Sequence, residues 1–293
     1  MRIGFVGAGK VGFTLGRYMK ERSLCVSGYY SRSHDHALQA SQFTHTECFA
    51  ALEELTKSSD VIFLTVPDGA IAGVWHSLTE FDLKDKVICH CSGALSSSVF
   101  SEIDRTGASG YSIHPLFAVS DKNSSYREIS NAYFTIEGSE KHMPLIEGIM
   151  KTLGNPYRII PADHKTLYHA AAVFASNLVV GLYEQAMQLM VECGFDRESA
   201  GKALAPMFLN NCQSVVENGT DMALTGPVER NDLTTVKKHL SILPRAQREV
   251  YLQLSQALIQ IAKRKHPDRD YSELSTVLEY EKGLEKKNEK NSF

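Results

Sequence analysis

Three glycines near the start of the chain have the spacing of a phosphate-binding turn. Gly7, Gly9 and Gly12 follow a short apolar run at 3–6, which predicts a buried strand, and they lead into a helical pattern. In a GxGxxG turn the first glycine permits a tight turn, the second lets a pyrophosphate approach the backbone, and the third lets the helix pack against the strand. The pattern alone is weak evidence. Its strand-turn-helix context favours a dinucleotide site over a merely glycine-rich turn.

The residues after the second predicted strand, at 25–30, indicate which dinucleotide is bound. NAD-binding proteins carry an acidic residue about 20 positions beyond the glycines, whereas an arginine there accommodates the 2′-phosphate of NADP. Arg32 occupies this position between two serines, and the first carboxylate after it is Asp35. NADP(H) is therefore predicted, with a solvated loop charge as the alternative for Arg32. The predicted cofactor-binding residues are Gly7, Ala8, Gly9, Lys10, Val11, Gly12, Ser31, Arg32, Ser33, Val66, Pro67, Ser92 and Gly93.

A predicted helix at 164–193 carries the residue types needed for proton transfer. On a helical wheel Lys165, His169 and Ser176 fall within about 40° of one another, and Asn177 lies about 80° from His169. A histidine could donate a proton to a carbonyl while an amide orients it, since a bound cofactor would supply the electrons. His169 and Asn177 are therefore candidate catalytic residues. The alternative for His169 is a structural histidine, and Lys165 is predicted to be a surface charge.

Other polar residues could take part in the same chemistry. His114 ends a predicted strand and competes with His169 as the acid, although a His-Pro pair also simply ends strands. Arg230 could bind a substrate carboxylate with two hydrogen bonds, while its alternative is a solvated charge. Asp232 either joins Arg230 at the substrate or caps the next helix. Ser92, in a small-residue turn, is a candidate for substrate as well as cofactor.

The pattern of elements supports a two-part fold. Strand and helix signals alternate through the first half, which predicts a doubly wound, mostly parallel α/β sheet of the Rossmann type at 1–160. The apolar run at 60–67 ends at Pro67, and the run at 86–91 opens into Ser92 and Gly93, so both turns are expected at the ligand-binding edge of the sheet. An all-α domain is predicted at 161–285 and a flexible tail at 286–293.

Composition limits the possible partners. The net charge of −3 provides no basic field for nucleic acid or an anionic membrane, so a small molecule is the expected partner. The chain enters a strand at once, and no apolar run approaches the roughly 18 residues of a membrane span, which predicts a cytoplasmic protein. The six cysteines are expected to be reduced and mostly buried, and no metal site is predicted because Cys89 and Cys91 lack a second ligand pair.

These motifs together resemble a family of Rossmann-like NADP-binding proteins whose C-terminal half is a domain of unknown function. The family is related to pyrroline-5-carboxylate, ketopantoate and deazaflavin-dependent NADP reductases. One position departs from its pattern, because Asn231 replaces the glycine of an Arg-Gly-Asp turn, although asparagine tolerates a left-handed backbone. The resemblance covers the segments 7–12, 31–33, 66–68, 90–94, 114–116, 168–177 and 223–227, with Arg230, Asp232 and His239.

The resemblance implies a fold and a reaction. It implies a Rossmann domain followed by a helical domain like that of 6-phosphogluconate dehydrogenase, which often forms a homodimer through its helices. The leading expectation is NADPH-dependent reduction of a small oxo acid, with ketopantoate reduction in pantothenate synthesis as the specific case. His169 would act as general acid, with His114 and Lys165 as alternatives, Asn177 would orient the carbonyl, and Arg230 would bind the carboxylate. An imine reductase of the pyrroline-5-carboxylate type and a non-catalytic NADPH sensor or scaffold are the alternatives.

Overall fold

The computed structural model describes residues 1–290, with side chains up to residue 283. Contacts divide the chain into two compact units, Met1–Asn177 and Leu178–Phe293. The helix that carries His169 therefore belongs with the sheet, whereas the sequence analysis places the domain boundary at residue 160. The predicted tail at 286–293 begins within the last helix, and its residues 291–293 lie outside the described residues.

The first unit is built on one sheet that contains eight strands in the described residues. Their order is β3-β2-β1-β4-β5-β6-β7-β8, and every neighbouring pair is parallel except β6 and β7. The winding reverses between β1 and β4, where open α/β sheets bind their ligands. The predicted doubly wound, mostly parallel sheet is confirmed. The strands are β1 (Ile3–Val6), β2 (Val26–Tyr30), β3 (Glu47–Cys48), β4 (Val61–Leu64), β5 (Val87–His90), β6 (Ser109–Leu116), β7 (Tyr133–Gly138) and β8 (Tyr157–Ile159).

Helices cover both faces of this sheet. Side chains alternate along β4, so that Val61 and Phe63 join one buried apolar cluster while Ile62 and Leu64 join another. A strand with both faces buried consists of consecutive apolar residues, which is why β4 could be predicted from the sequence. The helices of the unit are α1 (Lys10–Glu21), α2 (His34–Thr44), α3 (Leu52–Ser58), α4 (Asp68–Leu78), α5 (Ile103–Thr106), α6 (Met143–Leu153) and α7 (Lys165–Ala175).

A glycine lets α1 approach β2 closely. The Tyr29 hydroxyl donates a hydrogen bond of 3.2 Å to the Gly12 carbonyl. A Cβ atom built on Gly16 would lie 1.7 Å from the same hydroxyl, so the tyrosine occupies the space that a side chain would need. Tyr29 is fully buried and stacks on Phe5 at 5.2 Å, which fixes the helix over the start of the sheet.

The second unit is helical in its described residues. Its apolar core brings together three of its helices through side chains such as Val236, Leu252 and Leu278. The predicted α-helical second half is therefore confirmed. The helices are α8 (Asn177–Glu192), which starts at the unit boundary, α9 (Arg197–Ala223), α10 (Leu233–Ile242), α11 (Arg245–Lys265) and α12 (Ser272–Lys290).

Two helices differ from their predicted course. The single helix predicted at 164–193 is broken at Ser176, whose φ of −129° and ψ of −85° separate α7 from α8. The Ser176 hydroxyl donates to the Ala172 carbonyl at 2.7 Å, a local bond through which serine competes with helix continuation. A proline inside a helix predicts a kink, yet α9 continues with helical geometry through Pro206. The non-helical residue of α9 is Gly219, with a φ of 78° and a ψ of 168°.

Exposure also differs from prediction for some residues. Cys25, Cys193 and Cys212 are exposed and Cys89 is buried, so the prediction of mostly buried thiols is wrong for three of them. Apolar neighbours along a sequence do not guarantee burial when a helix face is left uncovered. Ala162–Glu192 is long and apolar enough to cross a membrane by length and composition, and one such stretch is weak evidence for a span.

Candidate functional site

A cavity of about 520 Å³ lies at the carboxyl ends of β1, β2 and β4. It brings together the glycine loop, the end of β2 and the start of α4, as expected for a doubly wound sheet at its switch point. We call it the glycine-loop cavity. Its lining residues are Val6, Gly7, Ala8, Gly9, Tyr30, Ser31, Arg32, His36, Leu52, Thr65, Val66, Pro67, Ala70, Gly73, Val74 and Ser77.

The three glycines of the loop differ in the space around them. Gly7 has a φ of +102°, and a Cβ atom there would lie 2.8 Å from the Thr65 carbonyl oxygen. A Cβ atom on Gly12 would lie 2.5 Å from the Thr65 hydroxyl, which donates to the Gly7 carbonyl at 2.7 Å. The nearest heavy atom to a Cβ on Gly9 is 4.0 Å away, so the space beside this residue is open. The loop therefore leaves open its middle glycine, the one through which a phosphate can approach the α1 N-terminus.

The cavity contains only part of the predicted cofactor set. Its lining includes Arg32 and Ser31, whereas the Ser33 side chain accepts a hydrogen bond from the His36 amide and caps α2. His36 and Thr65 are lining residues that the sequence analysis missed. Both follow from the fold, since His36 lies in the first turn of α2 and Thr65 directly follows β4 at this edge of the sheet. The predicted cofactor residues outside the lining are Lys10, Val11, Gly12, Ser33, Ser92 and Gly93.

A hydrogen bond joins the turn after β5 to the first residue of α4. The Ser92 hydroxyl donates to Asp68 at 2.7 Å and accepts from the amides of Ala94 and Leu95 at 3.2 and 3.0 Å. The small-residue turn after β5 is thereby fixed next to the start of α4. Ser92 itself is buried, so its hydroxyl organises the turn.

Gly93 lies against two histidines from different elements. A Cβ atom on Gly93 would lie 2.6 Å from Nδ1 of His169 and 3.0 Å from Cε1 and Nε2 of His114. The two imidazole rings are 6.3 Å apart and nearly perpendicular. Nδ1 of His169 is buried and has no hydrogen-bond partner among the described residues. We call this cluster, with Ser92, Lys165 and Tyr168, the Gly93 site.

Lys165 is not the predicted surface charge. Only 1% of it is exposed, and its Nζ atom donates to the Ser112 hydroxyl at 2.8 Å and to the Ser92 carbonyl at 3.2 Å. Burial lowers its pKa to about 8, since the charged ammonium loses hydration, while the buried carboxylate of Glu137 acts in the opposite direction. The lysine therefore holds a titratable cation beneath the turn of Ser92.

His114 is held by a tyrosine. Its Nδ1 atom lies 2.8 Å from the Tyr168 hydroxyl. Burial, together with the nearby charges of Lys165 and His169, lowers the pKa of His114 to about 4. The imidazole is neutral at neutral pH, and its Nε2 atom faces Gly93. The structure thus brings His114 and His169 together, on the face of α7 that also carries Lys165.

Asn177 does not join this cluster. The break at Ser176 ends α7, so the wheel that aligned Asn177 with His169 does not apply past that residue. Its side chain is exposed and accepts a hydrogen bond of 3.0 Å from the Ser176 hydroxyl. A helical wheel is a local argument, and one non-helical residue changes the direction of everything after it.

The loop with Arg230 belongs to the second unit. Asn231 has a φ of +59°, so the left-handed turn expected of the family glycine is kept. Asp232 caps α10 by accepting from the Thr235 amide at 3.0 Å and hydroxyl at 2.7 Å, which also lowers its pKa. The capping alternative for Asp232 is thus what the structure displays. Arg230 is exposed, and its side chain has no hydrogen bond or ion pair among the described residues.

The backbone before Arg230 is firmly anchored. The carbonyl of Glu229 accepts from Tyr271 and from Arg269, both at 2.6 Å, and its carboxylate pairs with His266. The His266 bond lowers the pKa of the Glu229 carboxyl. The backbone of Glu229, directly before Arg230, is therefore held in place by these hydrogen bonds.

Comparison with protein families divides the chain into two matches. Residues 1–115 match the model of a Rossmann-like domain, and residues 132–258 match a domain of unknown function, DUF2520. The chain joins a Rossmann-like domain to a DUF2520 domain. The DUF2520 match begins just before β7, so Lys165 and His169 lie in that domain, although they pack on the sheet of the Rossmann-like domain. A search of curated proteins finds no match.

Several solved structures share this arrangement. Protein TM1727 from Thermotoga maritima is 28% identical, with a TM-score of 0.72 over 90% of this chain and 99% of its own. BF3122 from Bacteroides fragilis, named as an NADP oxidoreductase, is 21% identical, with a TM-score of 0.68 over 88% and 98%. Pyrroline carboxylate reductase from Plasmodium falciparum, solved with NADP bound, is 14% identical, with a TM-score of 0.58 over 90% and 98%. The last two are similar in fold.

Proposed function

We propose that the protein is an NADPH-dependent reductase of a small oxo acid. The observation that carries the proposal is the buried, unpartnered Nδ1 atom of His169, which faces Gly93 in the same unit as the glycine-loop cavity. An unpaired buried nitrogen costs free energy unless a ligand satisfies it. Hydride transfer needs a dinucleotide site and a proton donor in one structure, and here the hydrogen bond from Ser92 to Asp68 links the turn of Gly93 to the helix that borders the glycine-loop cavity.

The residues of the glycine-loop cavity fit NADP(H). The open side of Gly9 gives a pyrophosphate access to the N-terminal amides of α1, and Arg32 with Ser31 fits a 2′-phosphate at the end of β2. The bound cofactor would supply the hydride. NADP in the name of the Bacteroides fragilis protein, and bound to the Plasmodium falciparum protein, supports the same choice.

His169 is the proposed proton donor. Its free Nδ1 atom is the position from which a proton can reach a carbonyl oxygen over Gly93. His114, neutral and held by Tyr168, orients the substrate by hydrogen bonding through Nε2. Lys165 is occupied by Ser112 and Ser92, so it supports the turn and adds positive potential to the site.

An oxo acid is the proposed substrate because Arg230 is a free guanidinium on an anchored loop, suited to a carboxylate. Ketopantoate is the specific candidate. The fold of pyrroline carboxylate reductase supports a second candidate, reduction of a cyclic imine that also carries a carboxylate. A sensor that binds NADPH without turnover is the remaining alternative.

We further propose that the protein forms a homodimer through its helical unit and acts in the cytoplasm. The helices expose large apolar side chains, including Val180, Leu209 and Val216 at 72%, 63% and 85%. Extended exposed apolar surface is typical of an interface. Contact with a second copy of the chain would also cover the apolar stretch Ala162–Glu192, so that no membrane is needed to explain it.

The test is turnover with a substrate panel. Purified protein is mixed with NADPH or NADH and with ketopantoate, pyrroline-5-carboxylate or simple oxo acids, and cofactor oxidation is followed by absorbance. Turnover of an oxo acid with NADPH, lost in His169→Ala with NADPH affinity retained, supports the proposal. If only the imine is turned over, the substrate is an imine and the oxo-acid proposal is wrong. If NADPH binds but no substrate is turned over, the sensor alternative is favoured.

A further inference from the structure

The helical unit contains a second cavity, of about 350 Å³, between α8, α10, α11 and the loop that precedes α10. Its volume lies in the range of small-molecule sites. We infer that this cavity binds a small organic molecule with an aromatic or branched apolar body and one carbonyl oxygen. The site is independent of NADPH and lies wholly within the second unit.

The walls of the cavity are mainly apolar and carry no formal charge. Leucine, valine and alanine side chains from α8 and α11 supply six of the fifteen lining residues, including Leu182, Ala186, Val250 and Leu254. No aspartate, glutamate, lysine or arginine is among the lining residues. Burial of a charged ligand there would lack a compensating partner, so a neutral ligand fits better.

One wall has a directed polar group. Nδ1 of His239 lies 3.0 Å from the Tyr251 hydroxyl, and the buried Ser255 lies one helical turn further along α11. All three residues line the cavity. With Tyr251 donating to Nδ1, the imidazole carries its proton on Nε2, which has no hydrogen-bond partner among the described residues. The wall thus contains one imidazole, that of His239, whose N–H group can donate to a carbonyl oxygen of a ligand.

The loop before α10 supplies further lining residues, and its backbone is anchored. Thr225, Pro227 and Val228 line the cavity just before Glu229, the residue anchored by Tyr271 and Arg269. The wall that this loop contributes is therefore pre-formed. A rigid apolar cavity with a single donor selects its ligand by shape and by one hydrogen bond.

The test uses 4-phenyl-2-butanone and its hydrocarbon counterpart butylbenzene as probes. Their dissociation constants are measured by ligand-observed NMR on the full chain without NADPH, so the result does not depend on reductase activity. The ketone should bind saturably, and Ala186→Trp, which fills the cavity, should abolish binding of both probes. Ala257→Trp makes the same change at an exposed position of α11 outside the lining, so it is the matched control and should leave both constants unchanged.

The polar wall is tested separately. His239→Leu should weaken the ketone about tenfold and butylbenzene less than twofold, because only the ketone loses a hydrogen bond. Circular dichroism and urea unfolding confirm that each variant is folded. The inference would be overturned if neither probe binds saturably at millimolar concentration, whether the cavity is closed by its own side chains or by a second copy of the chain. It would also be overturned if binding persists in Ala186→Trp. If His239→Leu weakens both probes equally, His239 does not recognise a carbonyl oxygen, and that part of the inference is wrong.

Discussion

The Nζ atom of Lys165 lies 2.8 Å from the Ser112 hydroxyl, and only 1% of the lysine is exposed. A buried cation of this kind links protein stability to pH. Burial lowers the pKa from 10.5 to about 8, so between these values the unfolded chain binds more protons than the folded chain.

We therefore expect the free energy of unfolding to rise with pH across this window. At 1.36 kcal/mol per pKa unit, the contribution of Lys165 is about 3 kcal/mol. Urea unfolding at about pH 8 and about pH 10 measures it, with Lys165→Met as the reference that cannot titrate. Equal pH slopes in both proteins would mean that the lysine is hydrated in the folded state.

Gly93→Ala should disturb the candidate acid. The new methyl group would lie 2.6 Å from Nδ1 of His169, so the ring must move. We expect turnover to fall by about 100-fold, since small displacements of a catalytic group have effects of this size, while NADPH affinity changes little. Gly148→Ala is the control, because that helical glycine has no atom within 4 Å of the added carbon. Unchanged turnover in Gly93→Ala would exclude His169 as the donor.

Arg32 should set the choice of cofactor. Arg32→Glu replaces a cation at the end of β2 with an anion, which repels a 2′-phosphate and can accept from a ribose hydroxyl. NADPH affinity should fall at least tenfold while NADH affinity is kept or improves, as measured by fluorescence titration. Arg158→Glu makes the same charge change at an exposed position of β8 outside the cavity lining and should leave both affinities in place. Equal affinity of the unaltered protein for both cofactors would contradict the assignment.

His114 should make the protein sensitive to acid. Burial lowers its pKa from 6.5 to about 4, so between these values the unfolded chain binds the additional proton. Stability should fall as pH drops through this window, and His114→Asn should show a shallower decline. Thermal unfolding at a series of pH values measures the difference. Tyr168→Phe, which removes the hydroxyl partner but keeps the imidazole, should retain the dependence on pH.

The proposed dimer can be tested on α9. Leu209 and Val216 are exposed and seven residues apart, which places them on one helix face. The double substitution to glutamate should shift the protein to monomer in sedimentation velocity, because charges within an apolar interface are costly. Thr234→Glu adds a negative charge at an exposed site of α10 and should leave the assembly intact. A monomeric unaltered protein would end the proposal.

The parts of the fold that were predictable depend on local patterns. β4 and the glycine loop are each specified by neighbouring residues. A strand buried on both faces requires consecutive apolar residues, and a tight turn requires glycines. The cap at Asp232 was anticipated for the same reason, although the sequence could not separate capping from substrate binding.

The site depends more on distant contacts. Lys165 is buried by bonds to Ser92 and Ser112, which lie 73 and 53 residues away. On a helical wheel a lysine looks exposed, because the wheel carries no information about what packs against it. Asn177 was misplaced for a related reason, since the hydroxyl of Ser176 ends the helix on which the wheel was drawn.

The contact between Gly16 and Tyr29 has a consequence for how this sequence can change over evolutionary time. Alanine at position 16 would place a carbon 1.7 Å from the tyrosine hydroxyl, so that change is blocked while the tyrosine is present. A smaller residue at position 29 opens the way for it. A larger residue at position 16 is therefore compatible with this packing only when position 29 is smaller, so the two positions are expected to change together.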